Sequence, residues 1–182
     1  MYKRLLLITV NYFFAINIFA QSLVATDAGS VISFSIKNFG ITVTGTFTGL
    51  KGNILFDPAA PANSVFNLSV NTSTVNTGID ARDRHLKKED YFNVEKFPVI
   101  TFISTKVSAS NKSGIFIVSG NITIKGTTQA INFPFVAKAS QSGYLFTGTF
   151  KLNRRDFQVG SGSLILSDNL DVSFSVYATN KT

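Results

Sequence analysis

From Val31 onward the chain alternates apolar and polar residues with a period of two, the pattern of strands that bury one face. Ile32, Phe34 and Ile36 share a face opposite Ser33, Ser35 and Lys37. Gly40 then turns the chain into Ile41, Val43, Gly45 and Phe47, opposite Thr42, Thr44, Thr46 and Thr48. Threonine suits a strand and its hydroxyl is content in water, so the threonine face is the solvated one. Gly49 to Gly52 leads into Ile54 and Phe56, and Asp57-Pro58 with Pro61 closes that strand, because proline supplies no ladder donor. Phe66, Leu68 and Val70 form the next strand. Later ones run through Ile100 and Phe102 to near Val107, through Ile115–Lys125, through Ile131 to Ala137, through Tyr144 to Leu152 and through Leu170 to Ala178. Gly120, inside one of these, marks a bulge or close-approach point where the facing apolar set switches.

The alternation stops from Asn76 to Phe102. This stretch holds five of the ten acidic residues (Asp80, Asp83, Glu89, Asp90 and Glu95) and the single histidine, His85. Ile79, Leu86 and Phe92 have the spacing of a helical face, which predicts a short helical excursion around 80–92. Asp80 is positioned to cap its first turn, with Asp83 near the positive end. A second irregular stretch, Asn153–Asp168, carries Arg154, Arg155 and Asp156.

Eight or nine antiparallel strands joined by short loops, each apolar on one face, either close into a barrel or pack as a two-sheet sandwich. An outer-membrane barrel inverts the arrangement, and its lipid face needs ordered aromatic girdles that this sequence lacks. The expected fold is all-β: an antiparallel barrel of about eight strands, with the filled β-sandwich, acting as a surface interaction or adhesion module, as the alternative.

Residues 1–20 stand apart. Lys3 and Arg4 precede an apolar run that ends at Ala20, before Gln21-Ser22, as in a secretory signal peptide. The apolar run, about 15 residues, is short of the ~20 a spanning helix needs. The expected organisation is a signal peptide over 1–20 and one domain over 21–182, exported to the periplasm or secreted, with no transmembrane segment in the mature chain. Setting aside Lys3 and Arg4 lowers the net charge from +7 to +5. The remaining lysines are spread singly along strands, as solubility devices, without the aromatic-interleaved cluster that nucleic acid would require. With no cysteine in the chain, neither disulfides, thiolate chemistry nor a cysteine metal site is available.

Eighteen phenylalanines with no tryptophan is an unusual core composition. The inferred inward face carries Phe34, Ile36, Val43 and Phe47 early in the chain, then Phe66, Leu68 and Phe102, and finally Phe133, Phe135, Phe146, Phe150 and Phe174. Gly45 and Gly148 share that face without a side chain, leaving room for a ligand. An eight-stranded barrel is wide enough to be filled by side chains or to hold one small ligand. Absent any inward charge, a long aliphatic chain is the natural tenant, held by burial at roughly 0.8 kcal/mol per methylene. No catalytic residue, cofactor or metal is expected. A lone histidine without cysteines is a poor zinc site, and no nucleophile elbow or phosphate loop appears. Arg82, Asp83, His85 and Leu86, with Arg154 and Asp156, are read instead as a structural rim held by mutual and backbone hydrogen bonds.

The runs GTFTGLKGNILFDP, NTGIDARDRHLKKEDYFNVEKFPVITF, VSGNITIKGTTQAINF and LNRRDFQVG, spanning about Thr26 to Ala178, resemble the YceI-like family of secreted lipid-binding proteins. The sharpest match is Arg82-Asp83-x-His85-Leu86 followed by Phe92, Pro98 and Thr101-Phe102. The resemblance implies a lipocalin-like barrel that carries a polyisoprenoid or other long amphiphilic lipid, without catalysis. Assembly as a homodimer stays open. Two residues depart from the family pattern: Asn38 stands where many relatives have histidine, and Gln158 where glycine is usual.

Overall fold

A computed structural model describes residues 21–181, so the expected signal peptide lies outside the described residues. The strands are β1 (Gln21–Asn38), β2 (Ile41–Phe47), β3 (Lys51–Phe56), β4 (Val65–Asn71), β5 (Val99–Ala109), β6 (Ile115–Ile124), β7 (Thr127–Ser140), β8 (Gly143–Asn153) and β9 (Leu166–Asn180). One helix, α1 (Asp80–Leu86), lies between β4 and β5. All pairings between named strands are antiparallel, and β1 pairs with β9 to close a barrel, which removes the sandwich alternative.

Nine strands occupy eight positions around this barrel, because β2 and β3 share one edge of β1. Residues 32–38 of β1 pair with β2, and residues 21–25 pair with β3. The Asp27 carboxylate fixes the crossover between them by accepting from the backbone N–H groups of Gly49 (2.6 Å) and Leu50 (2.7 Å). Among the described residues β2 has no strand partner on its far side. A single bridge, Thr46 to Asn76, joins it there to the start of the excursion. The excursion therefore completes the barrel wall where a strand is missing.

β1 starts ten residues earlier than its alternation suggested. Leu23 and Ala25 face inward on odd positions, Ile32, Phe34 and Ile36 on even ones, and a register shift between Thr26 and Val31 converts one to the other. No single period spans such a bulge. The bulge expected at Gly120 lies instead on the facing strand, where Thr105 is the extra residue between Ser104 and Lys106. Gly120 is a close-approach point: a Cβ there would sit 2.6 Å from the Ile103 carbonyl oxygen. The inward set of β6 never switches, while that of β5 passes from Phe102 to Val107.

Strand direction sorts the connections by end. The base holds the 57–64, 110–114 and 141–142 links; the mouth holds the β1–β2 turn, the excursion, the β6–β7 turn and the β8–β9 connection. At the base Phe56 is fully buried and within about 6.3 Å, ring to ring, of Phe66, Phe116, Phe135, Tyr144 and Phe146. Edge-to-face pairs of this kind add roughly 0.5–1.5 kcal/mol each beyond area burial. Among the described residues no helix is long and apolar enough to cross a membrane.

Candidate functional site

Above the aromatic base the barrel is hollow. A cavity of about 390 Å³ is walled almost entirely by apolar side chains. Phe66, Phe135 and Phe146 make its floor and belong to the base cluster as well. Its walls include Leu68, Phe102, Phe133, Phe150 and Phe174; Phe133 and Phe150 stack at 4.5 Å. Toward the mouth it is bounded by Phe34, Ile36, Val43 and Phe47, with Phe92 of the excursion standing edge-on to Phe47 at 5.5 Å. The phenylalanines and aliphatic residues expected to line a cavity border this space. Phe56 and Ile41, which share the inward parity, do not, Phe56 being buried in the base and Ile41 exposed at the rim.

Gly45 and Gly148 do not border the cavity, which corrects the expectation that they leave room for ligand. Each lies opposite a phenylalanine across a strand pair, Phe34 for Gly45 and Phe174 for Gly148, and that ring lies down over the glycine. A Cβ on Gly148 would meet Phe174 Cζ at 2.6 Å, and one on Gly120 would meet Phe102 Cε2 at 2.6 Å. The glycines serve the cavity indirectly: they let large rings lie flat against the wall instead of standing in the lumen.

The mouth is polar in a way the alternation did not reveal. Arg82, His85 and Leu86 from α1, Arg154 from the β8–β9 connection, and Asn38 and Thr77 all border the cavity, so the inward face is not free of charge. Thr77 is the hub that sequence reading missed. Asp83 accepts from the Thr77 N–H (2.9 Å) and hydroxyl, while Arg82 donates to the Thr77 hydroxyl oxygen (2.7 Å) and carbonyl (2.8 Å). Arg82, Asp83 and His85 thus make no bonds to one another; the first two converge on Thr77, and His85 packs on the Tyr91 ring at 4.8 Å. Asp80 is the first residue of α1, not its cap. Ile79 occupies the cap without a side-chain bond, and Asp83 reaches back to the N–H of Thr77.

Arg154 is nearly fully buried and organises the second irregular stretch. Its guanidinium donates to the carbonyls of Val159 (2.9 Å), Ser161 (2.8 Å) and Ser167 (3.0 Å) and pairs with Asp168 at 2.7 Å. Asp156, expected in this rim, is exposed, and only its backbone carbonyl takes part, accepting from Gln129. The partner is Asp168, which the sequence did not distinguish from Asp156. Gln158 has φ +56°, a left-handed backbone that glycine adopts without strain. Its carbonyl accepts from Lys125 Nζ (2.8 Å); burial pushes the Lys125 ammonium pKa down, with Asp90 and Glu89 pulling it back up. The Gly160 N–H donates to the Asp90 carbonyl (2.8 Å), so the two irregular stretches meet over the barrel end. Among the described residues no three His, Cys, Asp or Glu side chains form a metal cluster.

The geometry has close counterparts. A family model described as YceI-like domain matches residues 24–178. A UPF0312 protein of Shewanella baltica is 33% identical over 139 residues, covering 72% of each chain. Another from Pseudomonas savastanoi pv. phaseolicola is 32% identical over 151 residues, covering 79% of this chain and 78% of its own. Among solved structures, BcnA of Burkholderia cenocepacia superposes with a TM-score of 0.79 at 22% identity, over 84% of this chain and 98% of that one. A domain from Saccharophagus degradans described as polyisoprenoid binding gives 0.71 at 16% identity, over 89% and 99%. At those identities the likeness shows the fold, a lipocalin-like barrel. By its sequence, over nearly its whole described length, this chain belongs to the YceI-like family.

Proposed function

We propose that the protein is an extracytoplasmic carrier that holds one long-chain isoprenoid, or another amphiphilic lipid, in the upper half of the barrel. The observation that carries this reading is the aromatic-walled cavity of about 390 Å³, open at the mouth. That volume falls within the range of small-molecule pockets, roughly 300–1,000 Å³, which bury most of a ligand among apolar groups and orient it with a few polar ones. The lipid tail points to the floor at Phe66, Phe135 and Phe146, and its polar end rests among Asn38, Arg82 and His85. The description of the Saccharophagus degradans domain as polyisoprenoid binding supports the ligand class, and the signal-like residues 1–20 support export. No group is assigned a catalytic role, and no cofactor is invoked.

Thermal unfolding in the presence of prenyl alcohols of increasing length tests the reading. A ligand that binds only the folded state, at a hundred times its Kd, adds about 2.7 kcal/mol. The melting temperature therefore rises with chain length until the cavity is full and then stops rising. The absence of a shift with every chain would count against the proposal.

A further inference from the structure

Two adjoining loop tips at the mouth hold apolar side chains out in water. Phe39 is 70% exposed and Ile41 71% at the β1–β2 turn, and Leu164 is completely exposed in the connection before β9, with Ile165 next to it 46% exposed. The tips are tied together, since the Phe39 N–H donates to the Ile165 carbonyl at 2.8 Å. Asn38 and Leu166, the immediate chain neighbours of these tips, border the cavity. The apolar tips therefore continue the cavity opening.

The backbone at Phe39 sharpens this. Phe39 and Gly40 have φ of +51° and +76°, a two-residue hairpin turn with both residues left-handed. Such turns favour Asn, Asp or Gly at the first position, and a bulky residue there is strained. Lys125-Gly126 makes the same turn at +49° and +75°, but the lysine side chain is anchored on the Gln158 carbonyl. The Phe39 ring gains no comparable burial within the chain. A residue held in a strained conformation with its ring in water is placed for a contact outside the molecule.

The surroundings select the partner. Residues 37–42 and 157–167 contain one lysine and no acid. Of the two aspartates that flank the second tip, Asp168 is paired with Arg154 and Asp156 is exposed next to Arg155, whose guanidinium lies beside Gly162 in that tip. Projecting apolar tips with adjacent cations suit an anionic bilayer, into which apolar side chains insert while basic groups meet the headgroups. We propose that the Phe39–Ile41 and Leu164–Ile165 tips dock on an anionic lipid surface and set the cavity mouth against it, so that the lipid passes between bilayer and barrel without crossing water. This rests on the carrier reading above.

The test is flotation of the purified protein with phosphatidylglycerol-containing vesicles. Phe39→Asn and Leu164→Ser each lower the vesicle partition coefficient, by roughly tenfold for the loss of one inserted large apolar side chain. Phe39→Asn also leaves the melting temperature equal or higher, because asparagine suits the turn. Val65→Ser, at an exposed position on the base, leaves binding unchanged. The Phe39→Asn protein takes up lipid from vesicles more slowly than the parent but takes up a prenyl chain supplied in detergent to the same extent, because the cavity is untouched. The proposal is overturned if the parent does not float with vesicles, if the two tip variants float as it does, or if the tips instead mediate self-association that Phe39→Asn abolishes. Vesicle binding that responds to the tip variants while no lipid is found in any of the proteins leaves docking in place and removes the carrier reading.

Discussion

The two ends of the barrel are built from the same residue type to opposite effect. At the base, phenylalanines interlock: Phe56 is fully buried and touches five other rings. In the upper half, Phe34, Phe102 and Phe174 lie flat over Gly45, Gly120 and Gly148 and leave a void between them. The backbone follows the same division. All four non-glycine residues with positive φ among the described residues, Phe39, Asn93, Lys125 and Gln158, sit at the mouth end. The contrast teaches that a rigid, strain-free base supports a mouth that spends stability on keeping space open, as binding sites commonly do.

The sharpest way to break this contrast is to delete one ring from each half. Phe56→Ala leaves a cavity in close-packed surroundings and is expected to cost about 3–5 kcal/mol. Phe34→Ala removes a half-buried ring that already borders a void and is expected to cost roughly 1 kcal/mol, since little packing is lost. Urea denaturation of both variants decides it, and equal losses would mean that the halves are packed alike. Next in size is Arg154→Ala, which strips the Val159, Ser161 and Ser167 carbonyls and Asp168 of their donor. With Asp168 able to rehydrate, about 2–3 kcal/mol is expected, together with faster proteolysis within 158–165. Arg154→Lys does not restore it, because an ammonium lacks the fork that reaches several acceptors.

Gly45→Ala tests the cavity more than the fold. The new methyl displaces the Phe34 ring toward the lumen, at an expected cost of about 1–2 kcal/mol, and the longest chain that raises the melting temperature becomes shorter. An unchanged length limit would show that the ring position does not set the volume. The smallest effect belongs to Gln158→Gly, which relieves the left-handed backbone and is expected to gain about 0.5–1 kcal/mol by thermal melting.

Much of this was legible because alternation over five or more residues leaves few choices. The inward set from Ile32 to Phe174 and the place of the charged excursion follow from it, whereas barrel and sandwich share the same alternation and only the pairing of β1 with β9 separates them. What escaped has physical causes. Residues 21–30 of β1 were missed because the bulge between Thr26 and Val31 reverses which parity faces inward. Ile41 matched the inward parity, yet the strand runs past the barrel rim and leaves it exposed. Gly45 and Gly148 were placed on the correct face, but only cross-strand register shows that Phe34 and Phe174 cover them. Thr77 and Asp168 are a threonine and an aspartate in irregular stretches rich in both polar types, and nothing local singles them out before folding selects them.

The central claim, that the upper half is hollow in order to hold a lipid chain, is tested most directly by mass spectrometry of an organic extract of the purified protein, set beside its intact native mass. The account predicts close to one long-chain isoprenoid or comparable amphiphile per protein, lost on denaturation. A native mass equal to the bare chain, with an extract free of lipid and no uptake when prenyl chains are supplied, would contradict it.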